Sequence, residues 1–131
     1  MTNIAARNRR NKRAGARWES ELRDELRAAG FDVERLRLSG AEDEGDHVVR
    51  REKPGRHRRF LIIETKNAKF EPGPFLNEAL RERDNYARHR GLDPRDVEAV
   101  VIVRRRGANW RQAYVLSTVA EFFDLHPEAA P

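Results

Sequence analysis

The chain has 131 residues, a net charge of +5, a pI near 10.2 and no cysteine. That length suits one domain with one core, and the lack of cysteine excludes disulfides and thiolate metal sites, as suits the cytoplasm. No apolar run approaches the roughly 20 residues that span a bilayer, and no secretory signal is expected from a start without an apolar core.

In chain order, residues 1–14 read as a flexible basic arm, acid-free and without periodic hydrophobes. Residues 15–126 read as the folded domain and 127–131 as a short tail. From Ala16, the recurrence of Trp18, Leu22 and Leu26 predicts an amphipathic helix that Gly30 caps. Phe31 to Leu38 alternates with a shift of apolar phase near Arg35, which predicts a bulged strand. Ser39 to Gly45 is a loop by composition, and its Glu42, Asp43 and Glu44 read as a solvated acidic stretch. Asp46 to Arg50 and Phe60 to Lys66 read as the strands of a hairpin turning at Pro54-Gly55. Beyond Pro72 and Pro74, a helix of about 15 residues is expected around Phe75, Leu76, Ala79, Leu80, Tyr86 and Ala87, whose first apolar residues suit either the core or a dimer face. Ala99 to Val103 is fully apolar, as in a central strand. Tyr114 to Leu116 suits an edge strand, and Thr118 to Glu121 matches a capping box opening a last helix with Val119, Phe122 and Phe123. The expected fold class is α/β, with a mixed central sheet flanked by helices.

The basic residues are clustered. Arg7, Arg9, Arg10, Lys12, Arg13 and Arg17 precede the first acid; Arg50, Arg51, Lys53, Arg56, Arg58 and Arg59 flank Pro54-Gly55; Arg104, Arg105 and Arg106 form a third group. Such clusters attract phosphate backbones and make binding steeply salt-dependent. An anionic membrane fits less well, because the N-terminal stretch offers almost no apolar face for insertion. Trp110, just beyond the third cluster, suits either stacking on an unpaired base or packing under a bend. The four histidines lack metal-ligand spacing and read as surface residues.

The strand end at residues 64–66 carries the chemistry. Residues two apart on a strand share a face, so Glu64 and Lys66 project together and Thr65 points away. Asp46 opens the paired strand, so three charged side chains can converge. Adjacent carboxylates repel unless a cation lies between them, and a hard divalent ion such as Mg²⁺ answers that need. A lysine beside the ion can handle the attacking water or stabilise phosphate charge. A plain surface ion pair between Glu64 and Lys66 is the alternative.

Asp46 followed by ETK at 64–66 resembles the PD-(D/E)xK signature of restriction-endonuclease-like nucleases, with Gly45 in place of the proline. RAGARWESELRDEL (13–26) is similar to the opening of archaeal-type Holliday junction resolvases, placing Glu19 at that family's helix glutamate. GFDVERLRLSG (30–40) resembles its strand and serine loop, and EAVVIVRRRGANWRQAYVLS (98–117) its late strands and tryptophan bend. The likeness spans residues 13–125. It implies a restriction-endonuclease-like core of order α-β-β-β-α-β. It further implies a homodimer, dependent on Mg²⁺ or Mn²⁺, that nicks four-way DNA junctions inside the cell and leaves a 5′-phosphate. On this resemblance Asp46 and Glu64 bind the metal, Glu19 completes the acidic cluster and Lys66 is the catalytic lysine. Arg9, Arg10, Lys12, Arg13, Arg17, Arg37, Ser39, Arg104, Arg105 and Arg106 then contact DNA. The longer acidic loop, the basic hairpin and Ser20 where many members have arginine depart from the pattern and resemble phage and bacterial relatives. Flap, fork or linear-DNA nucleases, a non-catalytic nucleic-acid-binding module, and a partner-binding protein basic only for solubility are the alternatives.

Overall fold

The structure, a computed structural model, describes residues 2–37, 42–51 and 58–125. The first helix, α1, runs from Thr2 to Ala28. The stretch expected as a separate arm is therefore helical and continuous with the amphipathic segment. Its alanines and long arginine and lysine side chains favour helix, and neither proline nor glycine interrupts it before Gly15. Trp18 and Leu22 are buried, and the Trp18 indole Nε1 donates to the carbonyl of Ile102 at 3.3 Å. The helix stops at Gly30, whose φ of +100° is the conformation glycine tolerates best. Phe31 N donates to Leu26 O and Gly30 N to Arg27 O, the paired bonds of a Schellman ending.

Strands β1 (Asp32–Arg35), β2 (His47–Arg50), β3 (Phe60–Lys66), β4 (Val97–Val103) and β5 (Tyr114–Leu116) form one sheet in that spatial order. The β3–β4 pair is parallel and the other three pairs are antiparallel. A parallel pair needs a crossover, and α2 (Pro72–Arg90) supplies it, ending at the left-handed Gly91. The chain is thus α/β, with a five-stranded mixed sheet flanked by helices. The full order runs past the six elements α-β-β-β-α-β, and the strand and short helix expected after them are present. After β4 come the 3-10 turn Trp110–Gln112, the edge strand β5 and the one-turn helix α3 (Val119–Phe122).

Both faces of the sheet are covered. On one, α2 packs Phe75, Ala79, Tyr86 and Ala87 against Leu36, Val48, Ile62 and the odd-numbered valines and Ala99 of β4. On the other, Trp18 and Leu22 of α1 meet Val33, Val49, Ile63 and Val100. This corrects the bulged-strand expectation. The register from Asp32 opposite Arg50 to Arg35 opposite His47 is unbroken, and Leu36 N continues it to Asp46 O. Val33 and Leu36 simply serve opposite cores, so the apparent change of phase is a change of face.

Phe75 is buried, Leu76 and Leu80 pack partly buried against the α2 core, and Trp110 packs partly buried against the α1 core. Thr118 caps α3, its Oγ1 accepting from Glu121 N at 3.1 Å. Glu121 does not return the bond expected of a capping box. Its carboxylate is buried, accepts from Ala99 N at 3.0 Å and pairs with Arg58 and Arg83. Val119, Phe122 and Phe123 are exposed. Among the described residues, no helix is long and apolar enough to cross a membrane.

Candidate active site

The strand parity that builds the two cores also aims the charged end of β3. Ile62 faces α2, so Glu64 and Lys66 face it too, whereas Thr65 faces the α1 side. Lys66 Nζ lies 3.3 Å from Glu64 Oε2, and the Glu64 side chain is only 7% exposed. Glu64 is buried and Lys66 partly so, which sets this contact apart from the exposed surface ion pair of the simpler alternative.

Asp46 reaches the same place from β2, with an unexpected partner. Its Oδ2 accepts from Thr65 N at 2.8 Å and from Thr65 Oγ1 at 2.7 Å. Two donors fix the carboxylate at the strand mouth with its second oxygen outside these bonds. The approach depends on Gly45, at φ +103°, where an added Cβ would lie 2.7 Å from Ile62 Cγ2. A proline cannot adopt that φ, which accounts physically for glycine at the position before Asp46.

Two further carboxylates come from α2. Glu78 Oε2 accepts from Lys66 Nζ at 2.8 Å, and Glu82 is buried one turn on. One carboxylate oxygen each from Glu64, Glu78 and Glu82 lie within 4.8 Å of one another, a grouping that can hold a metal ion. Burial, then the charges of Asp46 and Glu82, push the Glu64 carboxyl up to about 11. Burial, then Glu78 and Asp46, raise Glu82 to about 8. Desolvation opposes the charge on Glu78, but hydrogen bonds with Glu64 and Lys66 hold it below the usual carboxylate range. Desolvation likewise opposes the Lys66 ammonium, yet Glu78 and Glu64 raise its pKa. In the metal-free protein Lys66 is therefore a cation, fit to stabilise negative charge and poorly suited to take a proton.

Glu19 stands across a cleft of about 480 Å³ lined with Arg35, Leu36, Arg37 and Asp46. Burial and Asp46 raise its pKa against the pull of Arg35, whose Nε is 3.7 Å away. His47 ties this part of α1 to the sheet: its Nε2 is 3.1 Å from Glu19 O, so that nitrogen carries the hydrogen. His47 is fully buried, which corrects the surface reading made for the histidines as a group. His89 is exposed, as expected, and lies 2.7 Å from Glu44 Oε2 and 2.9 Å from Glu42 Oε2; His57 and His126 lie outside the described residues.

The structure thus brings Asp46, Glu64 and Lys66 to one strand mouth, with Glu19 across the cleft from Asp46. Arg37 lines the cleft; Arg9, Arg10, Lys12, Arg13 and Arg17 are exposed along α1, and Arg104, Arg105 and Arg106 are exposed after β4. Arg104 N donates to Lys66 O at 2.9 Å, so the last cluster begins beside the charged strand end. Ser39, and Lys53 and Arg56 of the middle cluster, lie outside the described residues. Arg58 is a correction. Its side chain is 9% exposed, donates to Val97 O and Glu121 O, and pairs with Glu121, so it braces the fold. The acidic loop is corrected as well: Glu44 is buried, Glu42 and Glu44 pair with Arg88, His89 and Arg90 at the end of α2, and Asp43 O accepts from Asn85. Cations at a helix C-terminus make that a favourable seat for carboxylates.

Glu78, Glu82 and the bracing His47 were missed in the sequence. A signal for Glu82 existed: residues 75, 79, 82 and 86 fall on one helical stripe, and a glutamate among Phe75, Ala79 and Tyr86 breaks its apolar pattern. Comparison of the chain with protein-family models, curated proteins and solved structures finds no match.

Proposed function

We propose that the protein is a metal-dependent, structure-specific DNA endonuclease that nicks four-way junctions. The observation that carries this reading is the Glu64–Lys66 pair at one strand mouth with Asp46, which itself lines a cleft together with Glu19 and Arg37. An inert surface has no use for a desolvated carboxylate pushed so far from its ordinary pKa; phosphoryl chemistry does. The restriction-endonuclease-like class is supported by the acids at the ends of β2 and β3 and by the parallel β3–β4 pair joined through α2.

Asp46 and Glu64 would hold the Mg²⁺ or Mn²⁺ ion, with Glu19 facing it across the cleft. All the donors are oxygen, as those ions prefer, and the Glu64 pKa is raised first by burial and then by the charges of Asp46 and Glu82, which a bound cation would offset. Bound there, the ion supplies Lewis acidity toward the phosphate. The chain's own groups do the rest. Lys66 presents its ammonium to the charge that builds on phosphate oxygens as water attacks in line. Thr65 holds Asp46 still. Arg37 and the exposed basic residues of α1 and 104–106 bind the backbone with few contacts to base edges. A junction with two-fold symmetry calls for two sites, hence a homodimer.

The test is cleavage of four-way junction, flap, fork and duplex DNA at equal salt with Mg²⁺. Paired nicks in the junction, lost in Asp46→Ala and Glu64→Ala while binding persists, are the expected result. Cutting that favours flap, fork or duplex replaces the junction assignment with one of those substrates. DNA binding without metal-dependent cutting of any substrate would leave a non-catalytic binding module and overturn the enzyme.

A further inference from the structure

The α2 carboxylates point to a cation site that the Asp46–Glu19 cleft does not account for. Glu64, Glu78 and Glu82 converge within 4.8 Å, and Lys66 pairs with Glu64 and Glu78. Glu64 and Glu82 are each 5% exposed, so this group of carboxyls is largely withdrawn from water. A second observation stands apart from the clustering. Glu82 Oε1 is buried and meets no hydrogen-bond donor, an acceptor withdrawn from water with nothing in exchange. Buried acceptors without donors are rare because desolvation is costly.

We propose that Glu64, Glu78 and Glu82 form a divalent-cation site on the α2 side of β3, with Glu82 Oε1 as a ligand atom. With all three carboxyls ionised, as metal binding requires, a divalent ion supplies the positive charge that Lys66 alone does not. The donors are all carboxylate oxygens with no histidine or thiol, which selects Mg²⁺, Mn²⁺ or Ca²⁺ over softer metals. Access runs past Glu78 and Lys66, whose side chains are 35% and 21% exposed. An ion seated there replaces Lys66 as the counter-charge of Glu64 and Glu78, which frees the ammonium to turn toward a phosphate at the strand mouth. This last step rests on the nuclease reading; the site itself does not.

The experiment is Mn²⁺ titration of the full chain, followed by electron paramagnetic resonance and calorimetry, on wild type, Glu82→Gln, Glu78→Gln, Asp46→Asn and Glu19→Gln. Glu82→Gln and Glu78→Gln are expected to weaken the tightest site at least about tenfold, the usual scale for lost metal-site partners. Asp46→Asn and Glu19→Gln should change it by less than about threefold, since neither supplies a ligand oxygen. Circular dichroism checks folding; if the buried Glu82→Gln fails to fold, half-exposed Glu78→Gln decides. Wild-type affinity in both α2 variants, an equal loss in Asp46→Asn, or no Mn²⁺ binding by the wild-type protein would each overturn the site. Mn²⁺ bound through Glu78 and Glu82 in a protein that cuts no DNA upholds this site and sinks the nuclease. Metal-dependent cutting with unchanged Mn²⁺ affinity in both α2 variants does the reverse.

Discussion

Gly45→Ala is the substitution for which the structure makes the sharpest demand. Gly45 sits at φ +103°, and a methyl group there meets Ile62 Cγ2 at 2.7 Å and the carbonyl oxygen of Ile63 at 3.5 Å. Holding an L-residue in that backbone region costs about 1–3 kcal/mol. Ile62 is fully buried between β3 and α2 and has no open side to yield toward. Forcing a methyl into such a core adds about 1–3 kcal/mol. The two penalties share one backbone adjustment and will not add in full, so about 3 kcal/mol is expected. Urea denaturation followed by the fluorescence of buried Trp18 and partly buried Trp110 measures it. The same strain moves the neighbouring Asp46, whose N bonds to Ile63 O at 3.0 Å and whose Oδ2 is held by Thr65. Displacement of a catalytic group by about 1 Å can cost about 100-fold in rate, so junction cleavage by the folded variant should fall on that scale. A variant within about 0.5 kcal/mol of wild type, the range of an ordinary surface change, would refute the close approach of residue 45 to Ile62. It would also refute the seat assigned to Asp46.

Thr65→Val removes the hydroxyl that donates to Asp46 Oδ2 at 2.7 Å while leaving the backbone donor; a loss of about 1–2 kcal/mol by chemical denaturation, with a slower cleavage rate, is expected. Arg58→Ala leaves Glu121 buried with Arg83 as its remaining cation; losing one partner of a buried pair should cost about 3 kcal/mol, and DNA affinity should change little because Arg58 faces the interior. Burial lowers the pKa of His47, so the folded state favours the neutral ring. Its contribution to stability is therefore present above the unfolded value of about 6.5 and is lost as pH falls from there toward the depressed native value, because the unfolded chain takes up the proton first. Denaturation midpoints at pH 7.5 and 5.5 should separate less in His47→Gln than in wild type, and equal separation would show that His47 is not buried neutral.

Local patterning carried the elements themselves. The four-residue spacing of Trp18, Leu22 and Leu26, the apolar run from Ala99 to Val103 and the glycine after α1 each act over a few residues, so each can be read where it stands. The strand parity that aligns Glu64 with Lys66 is local in the same way. Covalent geometry alone set those side chains on one face, and the structure finds Lys66 Nζ 3.3 Å from Glu64 Oε2.

What required the tertiary structure was every decision that depends on what lies across a gap. The phase shift at Arg35 was visible, but only a sheet covered on both faces makes it a change of core in place of a bulge. Arg58 and Glu121 are 63 residues apart, and their charges read as surface until packing buries them against each other. Glu78 and Glu82 became neighbours of Glu64 only because the crossover helix must return over the face that β3 presents, since parallel strands cannot be joined in any shorter way. Sequence determined which residues could share a face or a turn, because backbone geometry is local; packing decided which charges lose their water and therefore which of them must find a partner.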